Sequence, residues 1–152
     1  MSRAFVKEDV DPPERSGRSR APSGLPPGAA NYATATGASL LRKRLMRLSR
    51  DKSPNELAIA ELERVLKSIT VVEAPNEAEN EIAFGARVTL KNSIGEEYHY
   101  RIVGVDELDL FPEAVSWISP LGRALLAAEA GGRISLPNGD IVTVAKVEYP
   151  LT

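Results

Sequence analysis

The sequence predicts an α+β protein: an N-terminal antiparallel helical hairpin followed by an antiparallel β domain with one short helix. Three observations carry this reading. Leu41, Leu45 and Leu48 recur at helical spacing and are followed, after a sharp break, by a second helical stripe. From Ile82 onward the apolar period becomes alternating, as in strands with one buried face. A Ser-Pro pair at 119–120 then opens a short apolar run suited to a single helix between strands.

Residues 1–30 read as a disordered tail, because the stretch from Asp11 to Ala30 is dense in Pro, Gly, Ser and Arg and carries almost no large apolar side chains. Arg15, Arg18 and Arg20 read first as solvated charge and second as a contact for nucleic acid or an acidic partner. The helical hairpin is assigned to residues 31–72. Its first helix begins near Thr34, which suits a cap, and its outer face carries Arg42, Lys43, Arg44, Arg47 and Arg50. Arg50-Asp51-Lys52 ends it. Ser53 then reads as the cap of the second helix, with Pro54 at the first helical position and Glu56 completing a capping box. Ala58, Ile59, Leu62, Val65, Leu66 and Ile69 form the second stripe. So short a connection requires the two helices to run antiparallel, and a two-helix core this thin needs the following domain for support.

Val71 and Val72 read as a short strand, and residues 73–81, acidic and holding Pro75, as a linker. The β domain is assigned to residues 82–152. Strands are expected at 87–90, 97–105, 133–136 and 141–147, with turns at 92–95 and 137–140, the latter carrying the favoured Asn138-Gly139 pair. Residues 106–116 read as irregular and acidic, 116–119 as strand leading into a turn. Ser119 then caps a helix with Pro120 at its first position, and Leu125 and Leu126 are assigned to the core.

Composition removes several functions. The 152 residues include no cysteine and one histidine, so disulfides, thiolate metal sites and a histidine-rich zinc site are excluded. His99 sits on an alternating strand and reads as a surface or half-buried side chain before it reads as a base. Aromatics are 5%, too few for recognition by base stacking. There is no phosphate-cradling glycine loop and no nucleophile elbow. No apolar run suits a bilayer span or a signal peptide, so a cytoplasmic location and no membrane partner are expected. Charge is uneven. Residues 35–69 carry eight Lys/Arg against four Asp/Glu, and residues 70–152 carry six against thirteen, which reads first as solvated charge on a helix and a sheet edge and second as two surfaces meeting different partners.

Several segments in order resemble one family. Phe84-Gly85-Ala86-Arg87-Val88-Thr89-Leu90, then Tyr100-Arg101-Ile102-Val103-Gly104 with Asp106-Glu107, resemble the opening strands of the C-terminal domain of GreA/GreB transcription factors. Ile118-Ser119-Pro120-Leu121-Gly122-Arg123-Ala124-Leu125-Leu126 resembles its Ser-Pro loop and helix. Ala130-Gly131-Gly132 through Val147-Glu148-Tyr149 resembles its closing hairpin. The resemblance covers roughly residues 31–150. It implies an FKBP-like fold for the β domain, bacterial RNA polymerase as partner at the rim of its secondary channel, and a coiled-coil arm that enters the channel. It also implies indirect contact with nucleic acid in the elongation complex.

On that resemblance the chain is a regulator of elongation rather than an enzyme, with no catalytic residue, metal or cofactor of its own, and a monomer is expected. The polymerase-binding candidates are Ser119, Pro120, Leu121, Gly122 and Arg123. In the family, carboxylates at the arm's tip help hold a magnesium ion in the polymerase. Here the arm is short, and in that it resembles the Gre-like regulator Rnk. Asp51 and Glu56 are the carboxylates at its tip, Asp51 lying between Arg50 and Lys52. An active transcript-cleavage factor using them is the alternative. A prolyl isomerase, from the fold alone, is a third reading, and the chain is poor in the aromatic lining it would need.

Overall fold

The computed structural model describes residues 25–26, 28–75 and 80–150. Most of the expected tail, with Arg15, Arg18 and Arg20, and part of the expected linker lie outside the described residues. The architecture is mixed α+β, with three α-helices, a two-stranded sheet and a five-stranded sheet. No helix among the described residues is long and apolar enough to cross a membrane.

Strand β1 (Asn31–Thr34) leads directly into α1 (Ala35–Ser49). Thr34 caps the helix, its side chain accepting the N–H of Gly37 at 3.0 Å, as the sequence predicts. The connection 50–55 is exposed, and α2 (Glu56–Ser68) packs on α1 through Leu41 and Leu48 facing Ala58, Leu62 and Val65. Only Leu41 and Leu62 of these stripes are buried, so the contact between the helices is thin.

The start of α2 departs from expectation. The cap is Asn55, whose Oδ1 accepts the N–H of Ala58 at 3.0 Å, and Ser53 and Pro54 lie ahead of the helix. Asn ranks with Ser as a cap, and here the helix begins two residues later than the Ser-Pro pair suggests. The capping box between Ser53 and Glu56 therefore does not form. Glu56 is instead the first helical residue, where its charge meets the positive end of the helix dipole.

Strand β2 (Ile69–Val72) follows α2 and pairs in parallel with β1, from Asn31 opposite Ile69 to Thr34 opposite Val72. Parallel neighbours need a crossover, and the helical pair supplies it. The sequence predicts β2 but assigns β1 to the helical segment. Four residues are too few to show a period, and β1 is held by groups distant in the chain.

The larger sheet contains β3 (Arg87–Lys91), β4 (Glu97–Val103), β5 (Ala114–Ser116), β6 (Arg133–Ser135) and β7 (Ile141–Glu148), in the order β5-β4-β3-β7-β6. Between β3 and β7 the register jumps from Thr89 opposite Lys146 to Leu90 opposite Val144, a bulge that leaves Ala145 as the extra residue and bends the sheet. Helix α3 (Pro120–Ala127) lies over the face where Val88, Leu90, Ile102, Leu125, Val142 and Val144 form the core. Leu125 is fully buried and Leu126 only partly so. The sheet is not wholly antiparallel as expected, because β5 runs parallel to β4. The reversal between them is made by a 3-10 turn, Val105–Glu107, and the loop after it. The Asn138-Gly139 turn forms as predicted, Gly139 taking φ +93° and Asn138 Oδ1 accepting the N–H of Asp140 at 3.0 Å.

The two halves meet at Glu107. Its carboxylate is fully buried and accepts the backbone N–H of Thr34 at 3.0 and 3.1 Å, the Thr34 hydroxyl, and the N–H of Gly104 at 2.7 Å. Two glycines make room for this contact. A Cβ on Gly37 would stand 1.8 Å from Glu107 Oε1, and one on Gly104 would stand 1.8 Å from the Tyr32 carbonyl oxygen. Beside it, Asn31 donates to Asp106 at 2.8 Å and to Ser68 at 3.0 Å. Tyr32 packs against Trp117 and Phe84, with ring centroids 5.0 and 6.0 Å apart. Arg44 of α1 reaches Asp109 at 3.4 Å.

Burial pushes the Glu107 carboxyl above the ordinary 4.5, against the pull of its three donors and of Arg101.

Three outcomes follow for stability. Asn55→Ala should cost about 1 kcal/mol in urea unfolding, whereas Ser53→Ala should leave the midpoint unchanged. Glu107→Ala, which orphans two buried amides, should cost about 3 kcal/mol, and Gly37→Ala should reproduce much of that loss by displacing the carboxylate. A carboxyl with a raised folded-state pKa contributes fully below the unfolded value and loses that contribution as pH rises through the raised one. Unfolding free energy measured against pH should therefore decline above the ordinary carboxylate range, and Glu107→Gln should flatten that limb.

Candidate functional site

The five candidates at the start of α3 divide by what they touch. Ser119 is extended, with φ −71° and ψ 160°. Its hydroxyl accepts the N–H of Gly122 at 3.0 Å and donates to the Ser116 carbonyl at 2.7 Å. Pro120 occupies the first turn, where its missing N–H is no loss. Gly122 is buried, and a Cβ there would stand 2.0 Å from the Ser116 oxygen, so glycine lets the helix begin this close to β5. Leu121 packs partly buried against the core. Ser119, Leu121 and Gly122 thus build the helix start, and Pro120 and Arg123 are left exposed on its surface. Arg123 makes no ion pair among the described residues, so its charge faces solvent.

The other candidates lie on the connection between α1 and α2. Asp51 is exposed within it, and Glu56 is exposed at the first position of α2. Neither carboxylate makes a hydrogen bond or ion pair among the described residues; the Asp51 backbone N–H donates to the Leu48 carbonyl at 3.4 Å. Arg50 and Lys52 are exposed beside Asp51, and Arg42, Lys43 and Arg47 continue the basic surface along α1. Among the described residues no group of three or more His, Asp or Glu gathers in one place to hold a metal ion.

The outer face of the sheet is polar and largely neutralised. Arg87 bonds Glu113 at 3.1 Å and lies 3.6 Å from Glu148; its pKa is raised first by the Glu113 bond. Lys146 beside Glu148 holds that carboxyl below its ordinary range, with Arg87 adding to the effect. Arg101 lies over the Phe111 ring at 4.1 Å, and burial lowers its pKa. His99 is half-buried, its Nδ1 3.1 Å from the Thr89 hydroxyl and its Nε2 3.6 Å from Glu97, with no substrate-sized cavity beside it among those described.

Sequence reasoning missed Glu107, which sits three residues after Gly104 and reaches back to its amide. That spacing was the available signal. It also missed the cap at Asn55, and with it the freedom of the Glu56 side chain.

Residues 77–149 match the family model described as "Transcription elongation factor, GreA/GreB, C-term". The chain is 40% identical over 92 residues to the transcription elongation factor GreB of Pseudomonas aeruginosa, a match covering 59% of this chain and 55% of that protein. It is 36% identical over 96 residues to GreA of Francisella tularensis subsp. novicida, covering 60% of each. The matches thus span little more than half the length of these relatives. A solved GreA/GreB structure from Nitrosomonas europaea aligns with 78% of this chain and 99% of its own at 26% identity, with a TM-score of 0.42. Over residues 77–149 this chain is thus similar to the C-terminal domain of the GreA/GreB family.

Proposed function

We propose that this chain binds bacterial RNA polymerase through the surface around the start of α3 and modulates elongation at the secondary channel. In this reading α1 and α2 are a shortened form of the family's coiled-coil arm, the β domain is its FKBP-like anchor, and Glu107 sets the angle between them. The observation that carries the reading is the family match over 77–149, which contains the whole α3 surface. The exposed Arg123 beside Pro120, with no ion pair among the described residues, supports it, because such a charge is available to an acidic partner. An arm of 15- and 13-residue helices, about 20 Å long at 1.5 Å per residue, suits the channel mouth better than its depth.

One observation favours a second reading, stimulation of transcript cleavage. Because Asn55 caps α2, the Glu56 carboxylate makes no capping bond and stands at the tip together with Asp51. Carboxylates are the hard oxygen ligands that a magnesium ion takes. Against it, the neighbouring Arg50 and Lys52 repel a cation.

Binding to core RNA polymerase should be measurable below micromolar concentration, and Arg123→Glu should weaken it about tenfold. Absence of binding at micromolar concentration would overturn the docking reading. On halted, backtracked elongation complexes the protein should alter elongation without raising RNA cleavage above the polymerase's own rate. Added cleavage that disappears in the Asp51→Ala, Glu56→Ala double variant would establish the second reading instead.

A further inference from the structure

We infer that the described residues ahead of β1, 25–26 and 28–30, form one wall of the docking face on α3, so that a polymerase surface seated there grips this segment as well as the helix. The inference rests on the docking reading above and extends it to a part of the chain that the family match, beginning at residue 77, does not include.

A hollow of about 490 Å³ lies between Pro26 and Ala29 on one side and Trp117, Ile118 and Leu126 on the other, and the exposed Arg123 also lines it. Apart from that guanidinium its lining side chains are apolar. The segment is shaped locally by a turn, the Ala29 N–H donating to the Pro26 carbonyl at 3.1 Å with Gly28 at φ +78°. It is anchored immediately downstream, where Asn31 bonds Asp106 and Ser68 and the Tyr32 ring packs 5.0 Å from that of Trp117. Trp117 therefore lines the hollow and also holds the strand from which the other wall extends. The two walls are set relative to each other by packing rather than by chance approach.

An open apolar hollow beside an unpaired cation fits one kind of occupant, an apolar side chain projecting from an acidic surface. The hollow adjoins Pro120 and Arg123, the exposed pair of the docking reading, so a partner covering them would reach it. The polymerase is accordingly the occupant to which the proposal commits.

The test uses the full chain and core RNA polymerase. Ala29→Trp, which fills the hollow without adding charge, and Pro26→Asp should each weaken binding about tenfold, as Arg123→Glu does. Backbone amide exchange in the unaltered chain should slow at Ala29 and Ala30 when polymerase is added, a readout independent of whether a variant folds. Unchanged or tighter binding by Ala29→Trp, with no slowing of exchange, would overturn the proposal. If Arg123→Glu still weakens binding in that case, the docking reading survives. If the unaltered chain does not bind polymerase, both fall.

Discussion

One buried carboxylate joins the two halves of this molecule. Among the described residues Glu107 has no ion pair to offset burial. It is stabilised by three donors, two of them backbone amides that would otherwise be orphaned. Thr34 gives both its amide and its hydroxyl to that carboxylate while the same hydroxyl caps α1. The helical pair is therefore tied to the β domain at the residue where its first helix begins. The close approach demands glycine at 37 and 104, one from each half. A change at any of these positions acts on the orientation of the helices before it acts on their own stability.

Around that joint the charge is distributed by role. The helical pair presents arginine and lysine to solvent along α1, and its inner surface is only thinly apolar. The β domain is acidic overall, yet on the sheet's outer face its charges are largely matched in pairs centred on Arg87 and Glu148. Arg123 on α3 makes no ion pair among the described residues. A solvated guanidinium contributes little to folding, which under the proposed docking leaves it available to an acidic partner. The helix start beneath it is rigid because Ser119 and Gly122 are both committed to Ser116. Binding at this surface should thus require little rearrangement.

The β domain was legible in the sequence almost element by element. Alternation marked β3, β4, β6 and β7, the Asn138-Gly139 turn formed as read, and Ser119-Pro120 opened α3 where expected. The site was legible as a segment but not as a surface. Residues 119–123 stand together in the chain, yet only the folded neighbours separate Pro120 and Arg123 from the three that are used structurally. The start of α2 misled for a physical reason. Ser53 and Asn55 are comparable caps, and a local pattern does not decide between them.

By itself the sequence determined the two helices, the alternating strands, the tight turns and the exclusions that follow from having no cysteine and one histidine. These depend on interactions within a few residues along the chain, or on composition. Only the tertiary structure decided β1, the two parallel pairings, the joint at Glu107 and the approach of Pro26 and Ala29 to the hollow beside α3. The hydrogen bonds from Thr34 to Glu107 join residues 73 apart, and those of Asn31 with Asp106 join residues 75 apart. Contacts at such separations leave no period in the sequence. They arise when the chain must satisfy buried polar groups that its local structure leaves open.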